Sequence, residues 1–337
     1  MIRSIEIQTL RGINVIDDET NDIARIEPRR INIFLDCTTH MKQDLMEALA
    51  LAIYLRGPRS EERLRLLKRM NDDNLWIHYF LQRNLMMSVD GFKVTRASAI
   101  EVKHLWNETR MPIGIKLEAP NGNLVRVLGV DIDFQTNIPT MRHVDIIIDE
   151  KYIDRNLSIF PLAIHEYLPP KDVEAVSKIT DFNKALPLLN QIFRENFMEE
   201  IQFDNISVKT DMYGRLGLYL SDRKKREARL PDIGKGMLTL TLLALASTNN
   251  IVVLDHVEDQ LYRVVHNLIG QLIALSESQW FVGMYNYPML HSILTQRPND
   301  TMLYVLTREK RNILSIGVTK GEEFDIHNIS KAICLNG

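Results

Sequence analysis

The chain has 337 residues, 45% of them hydrophobic and 25% charged, with a formal net charge of −3. That length and apolar share are enough for a substantial core in one large domain or two modest ones, and the slight acidity excludes a uniformly basic nucleic-acid coat while leaving local patches open. There is no run of about 18 apolar residues and no charged leader followed by an apolar stretch, so neither a membrane span nor a signal peptide is expected, and a cytoplasmic location follows.

In chain order, residues 1–34 read as two strands, roughly Ile2–Thr9 and Arg30–Phe34, around the acidic turn Asp17-Asp-Glu-Thr-Asn-Asp22. The apolar run Ile31–Leu35 passes through a polar stretch into Lys42 and a helix reaching Tyr54, whose apolar residues recur at helical spacing. Arg56-Gly-Pro58 stops that helix. The segment from Arg59 to about Trp106, rich in Leu, Met and Arg, reads as helical. From Ile113 to Ile148 the apolar residues alternate, which predicts strands, with Pro120-Asn-Gly122 as a hairpin turn. Residues 171–200 return to helix, with Pro187 beginning or kinking a second amphipathic run.

Further on, Asn205–Lys209 and Leu216–Leu220 read as paired strands turning at Tyr213-Gly214, and the basic run Arg223-Lys-Lys-Arg-Glu-Ala-Arg229 follows. Leu230-Pro-Asp-Ile-Gly-Lys-Gly236 leads into an apolar helix, Met237–Ser247. Ile251-Val-Val-Leu-Asp255 is an apolar strand ending in a carboxylate, and Trp280–Met284 and Thr301–Leu306 are further buried strands. The cysteines, Cys37 and Cys334, lie near opposite ends and form no framework, which fits a reducing compartment.

Strand, loop and helix with a lysine at the helix start is the frame of a P-loop, in which backbone N–H groups and a lysine cradle nucleotide phosphates. The consensus G-x-x-x-x-G-K-[ST] is met here by Asp36-Cys-Thr-Thr-His-Met41-Lys42-Gln43, so of its specified residues only the lysine is kept. The neighbours add to the match. The opening Ile5-Glu-Ile-Gln-Thr-Leu-Arg-Gly12, then Arg30-Ile-Asn-Ile-Phe34 and Leu45-Met-Glu-Ala-Leu49, resembles the N-terminus of RecF/SMC-like ATPases of the ABC class, in particular the small bacterial ATPases similar to overcoming-lysogenisation-defect (OLD) proteins.

The resemblance implies an α/β fold: an ABC-class P-loop NTPase head with a mixed β-sheet around a central helix. It also implies a helical insertion at about 57–110 and 165–200 within a single 1–337 head. The Toprim nuclease domain that OLD proteins carry after the head is not expected. P-loop folds set the lysine and the Walker B aspartate against one site, so the strand ending at Asp255 is expected beside Ile31–Leu35.

The same resemblance assigns motifs, and each lacks a chemical residue. Asp255 takes the Walker B position, but the water-polarising glutamate after it is His256. The signature motif, which contacts the γ-phosphate held by a partner subunit, keeps Gly234 and Gly236 and replaces its serines by Pro231 and Asp232. The switch histidine falls on Tyr285. In the loop itself, Asp36 and Met41 replace glycines that let N–H groups curl around an anion. Gln43 replaces the hydroxyl that would meet magnesium.

The reading is therefore a catalytically degenerate head, a pseudo-ATPase without expected cofactor, metal or catalytic residue. It would serve as a structural or regulatory subunit beside a homologous ATPase subunit or an effector, or as a homodimer. One alternative is a weak but genuine ATP–magnesium switch held by Lys42 and Asp255 with Gly234 and Gly236 of a partner copy. Another is a DNA-binding accessory protein using Arg223, Lys224, Lys225 and Arg226, or the basic face of the helix near Arg59–Arg69, although a solvated charged face is the commoner meaning of such runs. The simplest role for Lys42 is to neutralise Asp255 or Asp36 in an empty site. Asp36, Cys37, His40, Asp255 and His256 are also residue types that suit zinc, but a C-x-x-H spacing is weak evidence for one.

Overall fold

The computed structural model describes residues 1–36, 41–70, 85–97, 113–133, 140–163, 176, 178, 179, 181–197, 202–210, 216–229, 250–255, 263–284 and 287–324. In chain order the elements are β1 (Ile5–Leu10), β2 (Ile13–Asp17), β3 (Ala24–Ile26), β4 (Ile31–Asp36), α1 (Met41–Arg56), α2 (Glu61–Met70), β5 (Met86–Val89), β6 (Phe92–Ala97), β7 (Ile113–Glu118), β8 (Leu124–Asp133), β9 (Thr140–Ile147) and β10 (Ile159–Ala163). They continue with α3 (Leu186–Phe197), β11 (Phe203–Thr210), β12 (Leu216–Asp222), β13 (Glu227–Arg229), β14 (Ile251–Asp255), α4 (Arg263–Leu275), β15 (Gln279–Gly283), α5 (Tyr287–Gln296), β16 (Thr301–Lys310) and β17 (Ile313–Lys320).

Among the described residues, one 14-stranded sheet runs β10-β14-β15-β4-β16-β17-β2-β1-β5-β6-β7-β8-β9, with β3 added on β1. Its first five strands, β10 to β16, are parallel. Parallel strands covered on both faces are largely apolar, and β4, β14 and β15 are buried at every position. From β1 to β9 the sheet is an antiparallel wing, in which one face meets solvent and the strands alternate, as the burial of β1 and β5 shows.

The wing and the parallel strands together wrap α1. Every α1 residue from Met41 to Leu55 except Gln43 is buried, because the helix is apolar nearly all round. Ile251, Val253, Phe34 and Phe281 face α1 in one core cluster, while Val252, Leu254, Ile33 and Val282 turn to a second cluster. The second cluster is closed by α4, α5 and the small three-stranded sheet β11-β12-β13. A mixed β-sheet around a buried central helix is thus present, as expected.

Three expectations are corrected. Residues 1–36 form four strands rather than two, because Arg11 and Gly12, at φ +50° and +74°, make a two-residue hairpin turn that folds β2 back on β1. The span expected to be a helical insertion, 57–110, contains α2 and then the hairpin β5–β6, which joins the main sheet. Its turn is Asp90-Gly91, with φ of +49° and +80°, a strong short-range hairpin signal between alternating residues. Finally, β14 is not next to β4: β15 lies between them. All three strands are fully buried and mostly apolar, so hydrophobic pattern alone leaves their order open.

Candidate functional site

The site is built where the parallel strands end. Register places Phe34 of β4 opposite Gly283 of β15, and Gly283 opposite Asp255 of β14, so the strand ends form one ledge below the start of α1. Lys42, the second residue of α1, crosses that ledge. Its Nζ lies 3.7 Å from Asp255 Oδ1, with both side chains at most 1% exposed. So two residues 213 positions apart in sequence are brought together despite the intervening strand.

Gly283 makes this crossing possible, and it was not among the expected site residues. A Cβ there would sit 2.4 Å from Asp255 Oδ1, 3.1 Å from Met46 Cγ and 3.2 Å from Lys42 Cδ. The sequence signal was available, since a glycine inside a buried strand marks close approach of another group.

Asp36 ends β4 and is also buried. Its Oδ2 accepts a hydrogen bond from the Lys42 backbone N–H at 3.1 Å. That donor is one of the first N–H groups of α1, which have no acceptor within the helix. In the same first turn, Asp44 Oδ1 meets Arg11 Nη1 at 2.5 Å, and Glu47 Oε2 lies 3.9 Å from Arg11 Nη2. Gln43 donates to Glu47 Oε1 at 3.1 Å. An acid in the first turn suits the helix dipole. Around the start of α1 the described side chains thus set four carboxylates, Asp36, Asp44, Glu47 and Asp255, against two cations, Arg11 and Lys42.

Gly234, Gly236, His256 and Tyr285 lie outside the described residues, as do Cys37 and His40 of the zinc set. Among the described residues no group of His, Cys, Asp and Glu could hold a metal. Arg223, Lys224, Lys225 and Arg226 sit in the exposed turn between β12 and β13. Asp222 organises that turn: its Oδ1 accepts from the N–H groups of Lys224 and Arg226 at 2.9 Å each, and its Oδ2 accepts from Arg226 Nε at 2.7 Å. The Arg226 backbone N–H is the largest of the influences holding the Asp222 carboxyl below the usual aspartate range.

No family model matches the chain, and no curated protein does. Among solved structures, the chain is similar to that of the recombination mediator protein RecF with ATPrS, in the RecFOR pathway. The identity is 10% and the TM-score 0.37, over 94% of this chain and 98% of the other. With a likeness that distant, function has to be read from the site.

Proposed function

We propose that this chain is a catalytically degenerate ABC-class head that serves as a structural or regulatory subunit beside a homologous active ATPase or an effector. The observation that supports this most directly is the buried Lys42–Asp255 pair at 3.7 Å. In a working cradle that lysine serves phosphate oxygens and that aspartate orders magnesium. Here each neutralises the other, and among the described side chains carboxylates outnumber cations around them. A triphosphate would add negative charge to ground already negative.

The partner reading rests on the two glycines retained at Gly234 and Gly236, which would offer backbone N–H groups to a γ-phosphate held by the partner's own loop. Among the described residues no helix is long and apolar enough to cross a membrane, and we place the protein in the cytoplasm.

Equilibrium titration with a fluorescent ATP analogue and magnesium tests the reading. No saturable binding in the micromolar range is expected. Saturable, magnesium-dependent micromolar binding that Lys42→Ala abolishes would make the chain a genuine nucleotide switch instead. A second reading, DNA contact, is supported by the exposure of Arg223, Lys224 and Lys225 in one turn. It requires DNA affinity that falls steeply with salt and is lost when those residues are neutralised.

A further inference from the structure

Within the reading of a degenerate head, on which this step rests, we propose that the Asp36 carboxylate is a built-in occupant of the phosphate position, and that it is the residue that makes the cradle reject inorganic phosphate and nucleotide phosphates. Asp36 is only 7% exposed, and its Oδ2 takes the Lys42 backbone N–H at 3.1 Å. In a phosphate cradle that N–H would point at the bound anion. The ammonium of the same residue is turned to Asp255. The chain's own carboxylates thus hold both the donor and the cation that Lys42 could present to a phosphate.

The two carboxylates differ in what their removal would do. Asp255 lies across the ledge at the end of β14 and neutralises Lys42. Asp36 is on the same strand–loop–helix unit as Lys42, six residues before it, and bonds to its main chain. A phosphate reaching that N–H would have to displace the Asp36 oxygen and stay beside a like charge. At ~4 Å and an effective dielectric near 20, that repulsion lowers anion affinity on the order of a thousandfold per unit charge. Neutralising Asp36 removes the repulsion and leaves Lys42 in place. Asparagine keeps an oxygen that can accept the N–H, so the local hydrogen bond survives in that variant, whereas glycine vacates the position and restores the residue type of the P-loop consensus.

The experiment is a calorimetric titration of the full chain and of its Asp36→Asn, Asp36→Gly and Asp36→Glu variants, with inorganic phosphate and separately with magnesium-ATP. Circular dichroism and thermal melting check that each variant is folded. The expected result is no saturable phosphate binding by the native chain or by Asp36→Glu up to ~10 mM, and a gain of at least ~100-fold in phosphate association for Asp36→Gly, with a smaller gain for Asp36→Asn. Folded Asn and Gly variants that bind phosphate no better than the native chain would overturn the proposal and leave the degenerate-head reading standing. Micromolar magnesium-ATP binding by the native chain would sink both. Loss of folding in both neutral variants also counts against the proposal, because Asp36 would then be a requirement of the fold and not a determinant of anion choice.

Discussion

Gly283 shows how little room the site leaves. With a Cβ placed 2.4 Å from Asp255 Oδ1 and tight against Met46 and Lys42, Gly283→Ala must push the buried ion pair apart. Overpacking of this kind costs about 1–3 kcal/mol, and urea denaturation is expected to show that loss with an unchanged m-value. The pair itself is open to a cycle of substitutions. Lys42→Met removes the cation beside buried Asp255, which costs about 3–5 kcal/mol, whereas Lys42→Met with Asp255→Leu is expected to recover most of it. If the single and double variants were equally unstable, the pair would not be a mutual neutralisation.

Asp222 adds a pH dependence at the same scale. Its folded-state pKa is lowered, so its stabilisation of the basic turn is complete above the ordinary aspartate value of about 3.9 and is lost as the pH falls through the lower folded value. Protection of the Lys224 and Arg226 amides from hydrogen exchange should therefore hold at pH 5 and disappear only in strong acid. An Asp222→Asn variant should lack the pH step.

Among the elements, α1 depends on the antiparallel wing for its C-terminal end. Arg126 of β8, fully buried, donates from Nη1 to the carbonyls of Tyr54, Leu55 and Gly57 at 3.1, 3.2 and 2.6 Å, at a helix terminus where carbonyls run out of donors within the helix and the Gly57 N–H reaches only Tyr54. Its other nitrogens pair with both oxygens of Asp145 on β9 at 2.7 and 2.6 Å. Tyr54 completes the group by donating to Asp145 Oδ2 at 2.9 Å, and burial, followed by the Asp145 charge, pushes its hydroxyl pKa well up. Arg126→Met is expected to destabilise the fold by about 3–5 kcal/mol, because it strands a buried carboxylate as well as the helix carbonyls. Arg126→Lys should recover only part of this, since an ammonium cannot match the bidentate fork. Thermal melting of the pair of variants checks the order. The hairpin β5–β6 is tied in differently: Asp90, in its turn, accepts from the N–H groups of Arg3 and Ser4 at 2.8 and 3.0 Å and pairs with Arg56 at the end of α1.

Taken whole, the molecule divides labour between its two halves. The parallel strands carry the ledge with Asp36, Gly283 and Asp255, while the wing buries α1 and so sets where Lys42 can reach. On the proposed degenerate-head reading, activity is therefore not expected to return through one residue. His256→Glu restores the water-polarising carboxylate that the resemblance calls for, yet Asp36 and the Lys42–Asp255 pair are untouched by it. A phosphate-release assay is expected to find that variant indistinguishable from a Lys42→Ala control, and turnover above that control would count against the degenerate reading.

Much of this was determined by the sequence alone. Fully apolar runs set β4, β14 and β15, alternation set β7 to β9 around Pro120-Asn-Gly122, and an apolar stretch stopped by Gly57-Pro58 set α1, because burial and turn chemistry act within a few residues. The Asp90-Gly91 hairpin was legible too, but the leucine- and arginine-rich residues before it argued for helix. What only the tertiary structure decided is how distant residues meet. Strand order is one case: β4, β14 and β15 are all mostly apolar and all buried, so hydrophobic pattern does not rank them, and packing placed β15 in the middle. The role of Gly283 and the capping of α1 by Arg126 are others, since each depends on groups that come close only once the sheet has closed around the helix. The pairing of Lys42 with Asp255 was one of two choices left open, Asp255 or Asp36. The fold used both carboxylates, one for the ammonium and one for the backbone N–H, because the lysine's long stem spans the ledge while its main chain stays beside the end of β4.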